Sequence, residues 1–522
     1  MMDRRKFLGY SIIALMLGGC TQIGPNFNGV PKSKIPKKWS HKGGKDPAIS
    51  RWWHIYHDKT LNRLVDMAYR QNIDLKIAGV RILQSRAVLG IQNGMSLPQL
   101  QKLSGGAFVN DANQNSPTFG SSSLSFDLGW ELDIWGKYAR GTESAQAKLY
   151  ASVASYDSML VSIIAEVAKS YINYRTAQER IIYARRNIAI QEYVTKITKI
   201  QFNSGNVSEL DMQQALTQLH STRSAVYELK LSQIRAKNSI AMLLGLNPTE
   251  VEKYITNKDT ADDMSRYITN KKGTIQLKEQ SSAISKVSLI PSPRFDPHKK
   301  IDANLITRRP DVKVAEYIAH SKSADIGVAE AELYPSFSLI GNISYADTTI
   351  SPSKISIIAG PSFAWNILQY GRIKNSIRLK DAQFEESLLQ YNKTVLSAIH
   401  EVSYALDNYK YTLKQLKESK KAVMASARAF NISIRQYNDG LVSYQRLLNS
   451  VESLTRYQDQ YARLNGELAT QVALLYKALG GGWQISRGNS YLSKDTVAHL
   501  KSRSNWGSML SKDGVILPRN WQ

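Results

Sequence analysis

Cysteine is nearly absent from this sequence: Cys20 stands alone among 522 residues. An internal disulfide therefore cannot form, and a cysteine-rich metal site is excluded. No run of about 18 consecutive apolar residues occurs, so the sequence predicts no helical membrane span. Acidic residues are few: 43 Asp and Glu face 68 Lys and Arg, a formal net charge of +25. The nucleophile elbow GxSxG, the P-loop and the GxGxxG fingerprint are all missing, so no enzyme is expected. His54 and His57 have metal-ligand spacing, but neither a third histidine nor a carboxylate cluster accompanies them. No metal and no cofactor are expected. With 43% hydrophobic and 21% charged residues the composition is not that of a disordered chain. The length suggests about three or four domains.

Glycine and proline are missing from two long stretches, residues 142–204 and 372–439, of 63 and 68 residues. Both residue types break helices, so their absence permits very long ones. At 1.5 Å per residue these would reach roughly 95–100 Å. Leu149, Val153, Tyr156, Leu160, Ile163, Val167 and Tyr174 fall at heptad spacing, with Ser170 filling one slot. Phe384, Leu388, Tyr391, Val395, Ala398, Val402 and Tyr409 repeat that seam.

The second half repeats the first. A shift of 235 residues places Trp130 on Trp365, Gly136 on Gly371, Tyr156 on Tyr391, Glu166 on Glu401, Gly205 on Gly440 and Gly245 on Gly480. Upstream, a shift of 237 places Asp74 on Asp311, Ala78 on Ala315, Gly90 on Gly327 and Pro98 on Pro335. Each copy reads as helix, strand pair, very long helix, glycine turn, second helix. The predicted fold is mainly α with a small β part: duplicated long-helix hairpins and four strands per chain.

The strands are expected at 99–109 with 123–130, and at 336–345 with 356–365. Phe337, Leu339, Ile343 and Tyr345 alternate with Ser336, Ser338, Asn342 and Ser344. Leu124, Phe126, Leu128 and Trp130 alternate in the same way, giving one apolar face. Residues 110–122 and 346–354 read as polar turns. The first strand is the poorest, with Lys102 on the expected apolar face.

The N-terminus addresses the chain. Arg4, Arg5 and Lys6 precede an apolar stretch, Phe7 to Gly19, too short to span a bilayer. It ends at Leu17-Gly18-Gly19-Cys20, which resembles the lipobox of bacterial lipoproteins. That resemblance implies a signal peptide over 1–19 and a lipid-acylated Cys20 as the new N-terminus. Thr21, rather than Asp, implies sorting to the outer membrane. Arg4 to Leu8 also resembles a twin-arginine signal, so the export route stays open.

A lipid address and strands with one apolar face constrain the architecture. Only helices or closed barrels cross a bilayer. Four strands cannot close a barrel, since the smallest have about eight. A barrel must be shared among chains, about eight strands for two copies or twelve for three. The competing architecture is a lipid-tethered periplasmic structural or adaptor protein with coiled-coil arms.

Several stretches resemble the outer-membrane efflux channel family, the TolC-like proteins, in its lipoprotein branch. They are Trp130-Glu131-Leu132-Asp133-Ile134-Trp135-Gly136; Arg308-Arg309-Pro310-Asp311 followed by Ala315-Glu316, Ile326-Gly327 and Tyr334-Pro335-Ser336; Tyr391, Val395 and Glu401-Val402; and Leu474 with Tyr476 to Trp483. The resemblance runs from Cys20 to about Trp483. It implies a homotrimer sharing a transmembrane β-barrel continued by a periplasmic α-barrel. It also implies a periplasmic adaptor and an inner-membrane transporter as partners, and a passive exit duct for small molecules. A duct for type I protein secretion is the alternative within transport. The implied organisation is a lipid-anchored arm over 20–59, a first repeat over 60–245, an equatorial segment over 246–300, a second repeat over 301–482 and an equatorial tail over 483–522.

In that family the turns at Gly205 and Gly440 would lie at the periplasmic tip, where the duct is shut. Asp211, Tyr444, Gln445, Arg446 and Asn449 are the candidate gate. Relatives often place aspartates at the positions of Arg446 or Asn449. A threefold Arg446 would make the pore less favourable to cations. Alternatively, Arg446 points outward and pairs with Asp211 or a neighbouring helix. Glu166 and Glu401 read as ion-pairing residues between helices, and Arg308-Arg309-Pro310 as a turn and helix start.

The positive charge is spread over both repeats: 14 basic and 10 acidic residues in 130–245, 16 and 10 in 365–480. No focused patch points to nucleic acid. Lys32, Lys34, Lys37, Lys38, Lys42 and Lys45 form one acid-free cluster near the lipid site. It is read either as a headgroup contact on outer-membrane lipids or as a solvated arm.

Overall fold

The computed structural model describes residues 22–30, 49–111, 118–255, 288–293, 295 and 304–510. Cys20, the apolar stretch before it and the lysine cluster at 32–45 lie outside the described residues. The first repeat comprises α1 (Lys59–Gln71), α2 (Ile73–Met95), β1 (Leu100–Asn110), β2 (Phe119–Leu132), α3 (Lys137–Asn203) and α4 (Glu209–Leu244). The second comprises α5 (Pro310–Ala331), β3 (Ser336–Thr348), β4 (Ser351–Ala364), α6 (Arg372–Asn438) and α7 (Tyr444–Ala478). A short α8 (Lys494–Arg503) follows.

Both long helices have 67 residues, about 100 Å of uninterrupted helix. Each begins after a glycine with positive φ, Gly136 or Gly371, and each ends at another, Gly205 or Gly440. The terminations share one geometry. The Asn206 N–H donates to the Gln201 carbonyl at 2.9 Å, and the Leu441 N–H to the Gln436 carbonyl at 2.8 Å. These six-to-one bonds, with a left-handed glycine just before the donor, form Schellman caps that satisfy orphan carbonyls and reverse the chain. Gly205 and Gly440 thus stand at φ +73° and +70° because an L side chain would be strained there.

The heptad seams pack as the spacing predicts. Val153, Leu160, Ile164, Val167 and Tyr171 of α3 are buried with α1, Trp52 and Trp53 in the largest core. Trp52 stacks on Tyr476 of α7 with centroids 5.4 Å apart and planes within 3°. Tyr391, Val395, Ala398 and Val402 of α6 form a second core with Leu475 and Leu479. One window of α3 reaches a mean hydropathy of 1.3, enough for a span by composition. Two thirds of that window, 67%, is buried against other elements, so it is a core helix carrying alternating polar residues. The expectation drawn from uninterrupted apolar runs overlooked this average.

The four strands form one antiparallel sheet in the order β1-β2-β3-β4. The repeats therefore meet at β2–β3, where Trp130 opposes Leu339 and Leu124 opposes Tyr345. The strands are longer than the sequence suggested. Ser121, Ser122 and Ser123 pair with Thr348, Asp347 and Ala346, and the Ser351–Lys354 stretch is strand as well. Serine runs resemble turns in sequence, but here the backbone ladder carries them.

Two sequence readings are corrected. Lys102 lies opposite Asp127, which in turn lies opposite Asn342. Side chains directly across a ladder share a face, so Lys102 belongs to the polar face and Leu103 to the apolar one. Glu166 pairs with Lys169 of its own helix at 3.1 Å rather than across helices. Glu401 does pair across elements: Arg309 donates to it at 2.9 Å, and also to Asp311 and to the Ala478 carbonyl. Arg309 is the residue before Pro310 at the start of α5, so one side chain ties that helix to α6 and α7.

Candidate membrane face, N-terminal strap and periplasmic tip

The sheet has two chemically distinct faces, fixed by register. Leu103, Phe126, Ile343 and Ile357 oppose one another in sequence across the four strands. All four are exposed. Leu124, Tyr345 and Ile355 form the next such row, also exposed. The opposite face carries serines, Lys102, Asp127 and Asn342 together with the exposed Leu100, Phe108, Ile340 and Ile358; the Asn342 side-chain amide donates to Ser125 at 2.7 Å and Asp127 at 2.6 Å. A sheet with an unburied apolar face on one side and a mixed face with a hydrogen-bonded polar centre on the other suits lipid outside and water inside. Among the described residues nothing pairs with the outer sides of the edge strands, β1 and β4, a liability that barrel closure removes.

Residues 22–30 form a strap at the strand-to-helix passage. Arg140 of α3, 1% exposed, donates to the Ile23 carbonyl and the Gly24 carbonyl at 3.0 Å each, and to the Asn26 side chain at 2.8 Å. Its remaining donor reaches Glu143 at 2.8 Å. The Ile23 N–H donates to the Trp135 carbonyl at 3.1 Å. Phe27 stacks on His320 of α5 at 4.6 Å, and His320 bonds Glu143 at 2.9 Å. Gly24 has φ +89°, and a Cβ there would stand 2.4 Å from the Gly327 Cα. Both glycines are required by this close crossing. Sequence reasoning missed the strap. Its signal in the sequence was the glycine at 24.

The tip gathers a third core. Tyr437 and Tyr444 meet edge to face at 6.0 Å beside Phe430, Leu447 and Ile190. Tyr444 is therefore a packing residue within this chain. Burial pushes its hydroxyl well above the usual phenol range, and the Asp211 charge adds to that. Gln445, Arg446 and Asn449 are exposed, and Gln445 donates to Asn449 at 3.2 Å. Asp211 does not pair with Arg446. Its carboxylate accepts from the Ser208 N–H at 3.0 Å and the Ser208 hydroxyl at 2.8 Å, a capping box that opens α4. Ser443, at the same place before α7, makes no side-chain cap.

Two buried carboxyls lie between tip and sheet. Asp157, 2% exposed, accepts from the Ser486 hydroxyl at 2.9 Å. Burial pushes its carboxyl up to about 7 despite that bond and the nearby Arg487. Glu179 is raised by burial too, while the Ser288 hydroxyl and the Leu289 N–H, at 2.6 and 2.9 Å, oppose the shift. No set of three or more possible metal ligands occurs among the described residues.

An exposed apolar sheet face, joined through short turns to two helices of 67 residues that each pair with a shorter one, fits the wall segment of a membrane duct. The chain belongs to the outer membrane efflux protein family, whose model matches residues 64–246 and 303–481. It is similar to the probable outer membrane lipoprotein SilC of Salmonella typhimurium, 25% identical over 416 residues covering 77% of this chain and 82% of SilC. It is also similar to the toluene efflux pump outer membrane protein TtgC of Pseudomonas putida, 25% identical over 519 residues covering 94% and 99%. Among solved structures it resembles the outer-membrane channel OprN, with a TM-score of 0.74 and 26% identity over 88% of this chain and 99% of that one. This is an outer-membrane efflux channel, with its helical part extending into the periplasm.

Proposed function

We propose that three copies of this chain close a twelve-strand barrel in the outer membrane and a helical tunnel beneath it. The tunnel would act as a passive exit duct for small molecules. The observation that carries this reading is the four-stranded sheet with one exposed apolar face and two open edges. Such a sheet is stable in lipid only when the edges find further strands. An adaptor with coiled-coil arms has no use for a lipid-facing sheet, which sets that alternative aside. Energy would come from an inner-membrane transporter, reached through a periplasmic adaptor at the tip.

The strap supports an acylated Cys20. Gln22 lies against Gly136, at the passage from sheet to helix. Two residues of chain reach at most about 7 Å, so a lipid on Cys20 would enter the membrane beside the lower rim of the sheet. In the tunnel, three Arg446 side chains would oppose cations at the tip. Drugs, metal ions and lipids would pass along the same wall.

The deciding experiment is planar-bilayer conductance of the detergent-purified protein, with its oligomer mass measured in the same preparation. A conducting trimer is expected. A monomer that never conducts would overturn the duct. Cys20→Ser should abolish labelled palmitate incorporation, and persistent label would sink the acylation.

A further inference from the structure

The region matched by the family ends at residue 481, and the chain that follows takes a definite path. Its first turn, Trp483–Ser486, lies on α3, with the Ser486 hydroxyl on Asp157. The chain then reaches α2. Gly79 has no room for a Cβ against the Tyr491 carbonyl. Further along α2, a Cβ on Gly90 would stand 3.2 Å from the Met509 Cε. Between these two contacts lies α8. From Gly79 to Gly90 the helix α2 rises about 16 Å, so the tail climbs beside α2 toward the sheet. Gly90 lies about 7.5 Å short of Met95, the last residue of α2.

The place reached by the tail is the image of the place crossed by the strap. The shift of 237 puts Gly90 on Gly327, and Gly327 is where Gly24 crosses α5. The first described residues thus settle on one repeat and the last on the other, at equivalent glycines and equivalent heights. Gly24 is four residues from Cys20, so an acyl chain on Cys20 leaves the strap near this level, on the outside of the wall. Equivalent positions of the two repeats share that side. The end of the tail therefore stands outside the duct, at the level of the lipid anchor. Headgroups occupy roughly 5–8 Å beyond the hydrocarbon on each side of a bilayer, the same depth as Gly90 below the end of α2.

The side chains at that level suit a phosphate headgroup. α8 carries Asp495 in its first turn and Lys501 and Arg503 in its last, the turn nearer the sheet. Both cations are exposed. The Arg503 Nε donates to the His499 carbonyl at 3.3 Å, and among the described residues no carboxylate pairs with either cation. A cleft of about 510 Å³ is lined by residues 501–507, with Lys501, Arg503 and Trp506 among them. The Trp506 indole N–H is buried and has no hydrogen-bond partner among the described residues. Buried donors ordinarily have one, so the cleft is short of an acceptor. Met509 is exposed beside it. Tryptophan favours the headgroup level, where its ring meets lipid and its N–H meets polar groups.

We infer that residues 501–509 form a site for anionic phospholipid in the periplasmic leaflet of the outer membrane. Lys501 and Arg503 take the headgroup phosphate, Trp506 supplies the aromatic anchor and an unspent donor, and Met509 rests at the acyl boundary. Each repeat then has its own tether at an equivalent glycine, a covalent lipid by Gly327 and a bound lipid by Gly90. The inference rests on the lipid-facing sheet and the acylated Cys20.

Amide exchange of the full-length protein in lipid nanodiscs tests it. Residues 494–510 should exchange about tenfold more slowly in discs of phosphatidylcholine with phosphatidylglycerol than in phosphatidylcholine alone, since basic residues near an anionic surface are held there. Lys501→Glu with Arg503→Glu should abolish the difference, and Lys501→Gln with Arg503→Gln should remove most of it. Lys420→Glu with Lys421→Glu, the same change of charge on α6, should keep it. Exchange within α3 and α6 reports that each variant is folded. Inorganic phosphate added to phosphatidylcholine discs should not protect the tail. Equal exchange in both kinds of disc, or an undiminished difference in both variants of Lys501 and Arg503, overturns the site and leaves the duct standing. Protection by inorganic phosphate equal to that by phosphatidylglycerol makes this a general anion site and overturns the lipid. A protein that enters no disc overturns the membrane reading as well.

Discussion

Asp211 and Arg446 hold the same position in the two repeats, the third residue of α4 and of α7, and they carry opposite charges. Asp211 closes a capping box with Ser208. Arg446 cannot, and Ser443 before it makes no side-chain cap. A cation in the first turn of a helix also opposes the helix dipole. The second repeat therefore keeps a locally unfavourable residue where the first has a favourable one, and that residue is exposed at the tip.

Arg446→Asp should act in two ways. The new carboxylate can complete a capping box with Ser443, and it removes the misplaced cation. Together these should stabilise the start of α7 by about 1 kcal/mol per copy, seen as slower amide exchange across residues 444–450. In planar bilayers the same variant should shift the reversal potential toward cations. Stabilisation with an unchanged reversal potential would mean that Arg446 does not face the conducting path.

The strap depends on one guanidinium. Arg140 gives three of its hydrogen bonds to residues 23–26. Arg140→Ala should leave two backbone carbonyls without their donor and release the strap. Amide exchange of residues 22–30 should rise by at least tenfold, while exchange within the long helices stays unchanged. Equal protection in the variant would show that Phe27, His320 and the glycine crossing suffice alone.

Asp157 sets a pH dependence whose sign can be worked out. Its carboxyl holds a proton up to about 7 when folded, whereas an unfolded aspartate loses it near ~3.9. Between those values the folded state binds more protons than the unfolded one. Stability from this group therefore falls as pH rises from about 4 to about 7, and stays low above that. Asp157→Asn keeps an acceptor for the Ser486 hydroxyl and cannot ionise. Its thermal midpoint should exceed that of the parent at pH 8, with the gap closing toward pH 4. A gap independent of pH would refute the assignment.

Long helices, glycine turns and the duplication were legible because they depend on local rules. Gly and Pro break helices wherever they fall, so residues 142–204 and 372–439 announced themselves. The strand ends were not legible, since Ser121 to Ser123 have turn-like composition and only the ladder with Ala346 to Thr348 makes them strand. Lys102 was misplaced for a related reason: the face of a residue depends on its cross-strand neighbour, Asp127, which composition does not reveal. Tyr444 looked like a gate residue from its position after Gly440, yet packing against Tyr437 claims it for the tip core. The strap was hidden because its contacts join residues more than a hundred positions apart, as with Arg140 and Gly24 at a separation of 116.

That separation bears on the order of assembly. The crossing of Gly24 over Gly327, with Arg140 on one side and His320 on the other, uses surfaces from both repeats. The binding place for the first described residues of the chain does not exist until α3 and α5 have come together. Contacts of such long range carry a loop-closure cost that the surrounding packing must offset. The leading segment can dock only once that surface exists, so its docking reports that both halves of the wall have met.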